Sequence, residues 1–189
     1  MTTIQNRYSL VISPPNEIIS LVKSMKEKLA EEIGWYHSKN SLAHITINEF
    51  MATDNEIENI KKQLINICDG IKPIDVHLDH FNTYPNGAFF IAPDDFSIIE
   101  LKQIMTQIHQ LFRTKTLLKS NEPHLSIGRQ LKPDYIATAY RLFPFINLNF
   151  RCDSVTLRRF NPIIKQFEII DRFSFNDNPK PVYKQGTLF

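Results

Sequence analysis

Residues 42–50, LAHITINEF, form a β-branched, alternating run, and residues 123–129, PHLSIGR, repeat its signature. In an extended strand successive side chains point to opposite faces. His44 and Thr46 therefore share one face while Ile45 points to the other, and His124, Ser126 and Leu125 divide in the same way. Either tripeptide alone is a weak signal, because a strand histidine followed two positions on by a hydroxyl residue is most often a half-buried polar face. Their placement makes the pair informative. His44 lies 30 residues after Pro14 and His124 lies 31 after Pro93, and each proline closes an apolar run, RYSLVIS at residues 7–13 and AFFIA at residues 88–92.

Working outward, the matched spacing comes from a repeated order of elements. After Pro14-Pro15, Ile18, Leu21, Val22, Met25, Leu29 and Ile33 recur at steps of three and four with Lys23, Lys26, Glu27 and Glu31 between them, which predicts an amphipathic helix over residues 15–33 stopped by Gly34. Thr53-Asp54-Asn55-Glu56 has capping-box spacing before a second helix through Ile57, Ile60, Leu64 and Ile67. Residues 74–84 read as an extended strand, and Pro85-Asn86-Gly87 as a turn. The order then restarts with a strand at residues 88–92, a helix over residues 95–113, the strand His124–Gly128, a helix at residues 133–142, and strands near residues 147–160 and 165–175. The expected fold is α+β, a duplicated β-α-β-α-β unit forming two pseudo-symmetric lobes with antiparallel sheets around a central cleft. The expected organisation is one two-lobed domain over residues 1–175, with halves at about 5–84 and 86–175 that can exchange strands, and a loosely docked tail at residues 176–189.

Composition sets the outer limits. With 189 residues, 42% of them hydrophobic and 22% charged, the chain has the makeup of a globular domain rather than a disordered one. Its longest apolar run is five residues, Ala88 to Ala92, far short of the ~20 that span a bilayer, so no membrane association is expected. The N-terminus has no apolar segment behind a positive start, which points to a cytoplasmic protein. Cys68 and Cys152 have no zinc-type spacing and read as buried free thiols. A net charge of +2 lacks the basic stripe of a nonspecific nucleic-acid binder, so any phosphate recognition must be local.

If the two halves face one another, the two histidine–hydroxyl pairs converge on one cleft. In-line displacement at phosphorus needs a base for the incoming oxygen and an acid for the leaving one, and two imidazoles supply both near neutral pH. The hydroxyls of Thr46 and Ser126 suit the non-bridging oxygens, where charge is held during transfer.

With its His-Ile-Thr-Ile and Pro-His-Leu-Ser-Ile-Gly-Arg runs set 80 residues apart in a duplicated β/α chain, the sequence resembles the two-histidine (2H) phosphoesterase superfamily over residues 5–175. That superfamily includes 2′,5′ RNA ligase-like proteins and 2′,3′-cyclic nucleotide phosphodiesterases. The resemblance implies His44 and His124 as catalytic residues, Thr46 and Ser126 as phosphate-binding hydroxyls, and a mechanism without metal or other cofactor. It also implies a substrate contact at Arg129, where an arginine commonly follows the second tripeptide. By strand parity Arg129 points away from the cleft unless a bulge at Gly128, or the strand's end, turns it in. The partners so implied are an RNA terminus or a small nucleotide, the chain acting as a monomer.

Other groups have plainer readings. His77 and His80, three apart, fall on opposite faces of a strand and do not make a metal pair. His37 is read as a loop residue and His109 as a helix-surface residue. Asn48 shares the face of His44 and Thr46 by alternation, as an accessory polar group or a solvated strand end. Tyr8, Tyr84 and Phe90 read as core or rim packing ahead of nucleobase stacking. Arg158 and Arg159 could attract a polynucleotide, but as neighbours on a strand they must split between faces, a solvated edge accounting for at least one. The leading expectation is a phosphodiesterase with possible reverse RNA ligase activity, and the alternative is an RNA or nucleotide binding module with the same phosphate cradle and no turnover. A metal hydrolase is disfavoured by the lack of HxH, HExxH or carboxylate-rich clusters.

Overall fold

The computed structural model describes residues 4–178. Strand β1 (Asn6–Ile12) is followed by α1 (Asn16–Ile33), β2 (Ile45–Ala52), α2 (Asp54–Asp69) and β3 (Ile74–Tyr84). The second half runs through β4 (Ala88–Pro93), α3 (Asp95–Leu111), β5 (Thr116–Lys119), β6 (Leu125–Gly128), α4 (Pro133–Leu142), β7 (Leu148–Cys152), β8 (Ser154–Asn161) and β9 (Gln166–Ser174). The helix ends follow local chemistry. Pro15 precedes α1 in an extended conformation, and Gly34 ends it at φ 78°. Thr53 and Glu56 close the expected capping box of α2, and the Asp94 carboxylate accepts the Ser97 amide at the start of α3.

Every strand pairing is antiparallel, in the orders β5-β2-β1-β8-β9 and β6-β4-β3-β7. The halves of the chain thus exchange strands: β3 joins the second sheet, while β5, β8 and β9 complete the first. The stretch read as one strand region near residues 147–160 resolves into β7 and β8, parted at Asp153 and assigned to different sheets. Strand β5, three of whose four residues are exposed, has no alternation by which to predict it. Apolar side chains from both sheets and all four helices form one buried cluster, including Leu10, Leu29, Leu64, Phe89, Ile108 and Ala139. Fully burying an aliphatic side chain contributes about 1.5–3 kcal/mol, so this shared cluster ties the two sheets together.

Register determines what reaches the cleft. In the β1–β2 ladder Val11 faces Thr46 and Leu10 faces Asn48, leaving Ile47 as an extra residue. In the β4–β6 ladder Phe90 faces Ser126 and Phe89 faces Gly128, leaving Ile127 extra. The two bulges fall at the same place, three residues after each histidine, and each reverses the parity of the residues beyond it. Arg129 is thereby brought to the cleft side. Asn48 goes the other way: paired with Leu10 and fully buried, it leaves the cleft face expected for it, and Glu49 takes that face beside Ser9. Both amide atoms of the Asn48 side chain lack a partner among the described residues. The Ile47 carbonyl accepts the Ser120 amide at 2.9 Å and His109 Nε2 at 3.1 Å, so His109 clamps the bulge rather than lying free on the helix surface.

Residues 175–178 are docked. The Asp177 and Asn178 amides donate to the Ile71 and Asp69 carbonyls, and the Asn176 and Asn178 side chains bond Asp69, so this part of the expected tail is tied to the end of α2. The rest of it, from residue 179, lies outside the described residues. No helix among the described residues is long and apolar enough to cross a membrane. Cys68 and Cys152 are free and buried.

Candidate active site

His44 and His124 each occupy the last residue before a strand, not a place within it as alternation suggested. Their side chains nonetheless line one cleft of about 740 Å³, together with Thr46, Ser126 and Arg129. The two rings are held alike. His44 Nδ1 lies 2.6 Å from the Leu42 carbonyl and His124 Nδ1 lies 2.8 Å from the Glu122 carbonyl, in each case two residues back. A carbonyl only accepts, so both Nδ1 atoms carry the proton and both Nε2 atoms are left for chemistry.

The environment of each ring lowers its affinity for a proton. Burial, then the positive charges of Arg158, Arg129 and Lys26, push His44 well below the ordinary imidazole range. Burial and Arg129 push His124 down as well, opposed by the Glu122 carboxylate and by the carbonyl bond. Tyr84 and Phe90 pack on the His124 ring at centroid distances of 5.4 and 4.9 Å. Phe90 is buried, and Tyr84, tilted against it at 4.5 Å, also lines the cleft. Tyr8 is buried against Phe50 and is not part of the cleft lining.

Several groups to which sequence reasoning gives no place in the site also line the cleft. Arg158 faces into it from β8, while Arg159, on the opposite face, is exposed and reaches Asp54 at 3.6 Å. The two arginines therefore split as alternation requires, and the inward one is the one with chemistry. Glu49, Lys119 and Lys165 are present too. The loop between α1 and β2 supplies His37, Ser38 and Ser41, and crosses to the other lobe. There the Arg129 amide donates to the His37 carbonyl at 3.3 Å, and the Ser38 hydroxyl donates to the Ile127 carbonyl, the second bulge residue. Beneath the loop lies Lys26, placed by periodicity on the polar side of α1 but only 1% exposed. Its ammonium donates to the Ser38 carbonyl and to the carbonyl and hydroxyl of Ser41.

His77 and His80 stay apart from the cleft lining and have separate partners, Asp94 and Asn147 for the first and Asp79 for the second. A second depression, of about 600 Å³, lies by β2 and α2. Its one carboxylate, Glu56, is committed to the helix cap.

A family model described as the 2′-5′ RNA ligase superfamily matches residues 14–162. The chain belongs to this superfamily. That settles the resemblance to 2H phosphoesterases read from the two tripeptides, and the matched span takes in both. No curated protein matches the sequence. Among solved structures, E. coli LigT complexed with 3′-AMP superposes with a TM-score of 0.64 at 11% identity, covering 91% of this chain and 99% of that one. TT0787 of Thermus thermophilus gives 0.59 at 14% identity, with 90% and 98% covered. Kluyveromyces marxianus Usb1 gives 0.55 at 13% identity, with 89% and 98% covered. At these identities the likeness shows the fold. The α+β architecture of two antiparallel sheets is thus that of the superfamily of phosphoesterases to which the sequence belongs.

Proposed function

We propose that this 2H phosphoesterase is a metal-independent phosphodiesterase acting on 2′,3′-cyclic or 2′,5′-linked ribonucleotide phosphodiesters, at RNA ends or in small nucleotides. The observation that carries the reading is the equivalent anchoring of His44 and His124. Each has its Nδ1 proton committed to a backbone carbonyl, its Nε2 without a partner among the described residues, and a hydroxyl two residues on lining the same cleft. Two such groups form an acid and a base without further help.

His44, ringed by Arg158, Arg129 and Lys26, is the more strongly held in its neutral form and acts as the base. His124, with Glu122 beside it, is the more readily protonated and acts as the acid. In hydrolysis His44 Nε2 takes a proton from water and the water oxygen bonds phosphorus. The bond from phosphorus to one ribose oxygen breaks, and His124 delivers its Nε2 proton to that oxygen. Thr46 and Ser126 donate to the non-bridging oxygens, and Arg129 offsets their charge. Run backward with a ribose hydroxyl in place of water, the same steps form a phosphodiester, which is the ligase direction.

The deciding experiment incubates purified protein with nucleoside 2′,3′-cyclic phosphates and with 2′,5′-linked dinucleotides, beside His44→Ala and His124→Ala controls and after exhaustive EDTA treatment. Turnover that survives chelation and vanishes in both controls is expected. Tight nucleotide binding with no turnover of either substrate class would make the chain a binding module. Activity lost on chelation and restored by Zn²⁺ or Mn²⁺ would place it among metal hydrolases.

A further inference from the structure

The cleft face of the first sheet is built in rows. Thr46, Val11 and Thr156 stand abreast across β2, β1 and β8, and Glu49, Ser9 and Arg158 form the next row. Arg158 stands one row along and two strands across from Thr46, so their backbones are about 12 Å apart. The first row contains the Thr46 hydroxyl assigned above to the reacting phosphate. The second contains a guanidinium without a bonded carboxylate among the described residues.

Arg158 is only 4% exposed. Its Nη2 donates to the Ser9 hydroxyl at 3.2 Å, its Nε is buried with no partner among the described residues, and its Cζ lies 5.2 Å from the centre of the Phe167 ring. Glu49, in the same row, is near enough to favour the charged guanidinium, but its carboxylate oxygen accepts both Nε, at 2.9 Å, and Nη2 of Arg7. Burial pushes Arg158 down to about 10, which leaves it charged at neutral pH. A buried cation held by one neutral hydroxyl and a ring face is costly unless an anion completes it. Lys165, on the turn that enters β9, lines the same end of the cleft beside Gln166 and Phe167.

Taking the phosphodiester reading above as its basis, we propose that Arg158 anchors a second phosphate subsite, so that the cleft selects ribonucleotides carrying a further phosphate on the 5′ side of the scissile phosphodiester. The long arginine side chain bridges much of the gap to Thr46 and lines the same cleft as Thr46 and His44, so its guanidinium can meet a phosphate next to the reacting one. At a 2′,3′-cyclic end, only the 5′ side has a neighbour to offer. That neighbour is either the 5′-phosphomonoester of a mononucleotide or the internucleotide phosphate of a longer chain, and both present anionic oxygens suited to a guanidinium.

The test compares kcat/KM for adenosine 2′,3′-cyclic phosphate, the same nucleotide with a 5′-phosphate, and the dinucleotide ApA with a 2′,3′-cyclic end. These are run on wild type, Arg158→Met and Arg158→Lys. Wild type is expected to favour the two-phosphate substrates by about tenfold or more, the scale of a charge-assisted hydrogen bond. Arg158→Met should bring that ratio to about one, and Arg158→Lys should retain part of it. A preference for both larger substrates assigns the subsite to any 5′ phosphate, and a preference for the dinucleotide alone assigns it to the internucleotide one. A wild-type ratio near one overturns the subsite while leaving the phosphodiesterase reading intact, and needs no variant to fold. A substrate preference that Arg158→Met leaves unchanged, whatever the overall loss through the charge it removes from beside His44, also overturns it, since the preference would then not come from the arginine. If nothing is turned over, the phosphodiesterase reading falls and calorimetry decides the subsite. Adenosine 3′,5′-bisphosphate binding more tightly than 3′-AMP, with the difference lost in Arg158→Met, supports it, and equal affinities overturn it.

Discussion

Lys26 and Ser41 meet twice under the rim of the cleft, through the Ser41 carbonyl at 2.7 Å and its hydroxyl at 3.1 Å. With a third bond to the Ser38 carbonyl, this ammonium fastens α1 to the loop that leads into His44. Burial, and then the charge of Arg129, push Lys26 down to about 7 from 10.5. Between those values the unfolded chain binds more protons than the folded one, so this group makes the fold more stable as pH rises through the window. The stability advantage of wild type over Lys26→Met should therefore grow by up to about 3 kcal/mol between pH 7 and 9.5, read from urea melts. An advantage independent of pH would show that Lys26 stays charged throughout. Loosening the rim should also raise KM more than it lowers kcat.

His44→Ala and His124→Ala should each lower turnover by ~10²-fold or more, the scale of a lost positioned acid or base. Thr46→Val and Ser126→Ala should cost about 1–3 kcal/mol in kcat/KM, less than either histidine. Steady-state kinetics on a 2′,3′-cyclic nucleotide checks both. Near-wild-type turnover in either histidine variant would end the two-histidine mechanism.

Both imidazoles are pushed down by burial, so at pH 7 both are neutral and one must gain a proton before catalysis. An entering phosphate anion favours the imidazolium. The alkaline limb of the kcat profile should then lie at higher pH than that of kcat/KM, and phosphate binding should take up a proton, measured by calorimetry in buffers of different ionisation enthalpy. NMR titration should find His124 titrating above His44, and the reverse order would exchange their roles as acid and base. His44 also predicts acid sensitivity: its folded value lies below the unfolded 6.5, so its contribution to stability is lost as pH falls below that value.

Gly87 sits at φ 80°, and a Cβ there would come within 2.5 Å of the Leu131 carbonyl oxygen and 2.9 Å of its amide nitrogen. The Leu131 amide donates to the Gly87 carbonyl, fixing the chain just beyond Arg129. Gly87→Ala should destabilise the protein by about 2 kcal/mol or more and weaken substrate binding with it. An unchanged urea midpoint would show that the contact yields freely.

Much of this is legible in the sequence because helices and caps are local. Ile57, Ile60, Leu64 and Ile67 announce α2, and all four are buried in it. Thr53 and Glu56 meet as their spacing requires. The two tripeptides are legible for a different reason: the duplication places them in matching register. What escapes depends on partners far away in the chain. Lys26 scores as polar in any periodicity, yet its head finds acceptors 12 and 15 residues on. The bulges at Ile47 and Ile127 exist only in the pairing with β1 and β4, so strict alternation puts Asn48 and Glu49 on the wrong faces. Alternation parts Arg158 from Arg159, but which of them faces the cleft is set only when β8 is placed beside β1.

The exchange of strands between halves has a mechanical consequence. A nick at the turn around Asn86 would separate a fragment holding β1, β2 and β3 from one holding the remaining strands, and neither piece would own a whole sheet. The two fragments would stay interlocked through the β1–β8, β2–β5, β3–β4 and β3–β7 ladders, with one of the two histidines proposed as acid and base on each. Split there, the protein becomes an obligate pair, whose reconstitution from separate chains would report directly on the joining of the two imidazoles.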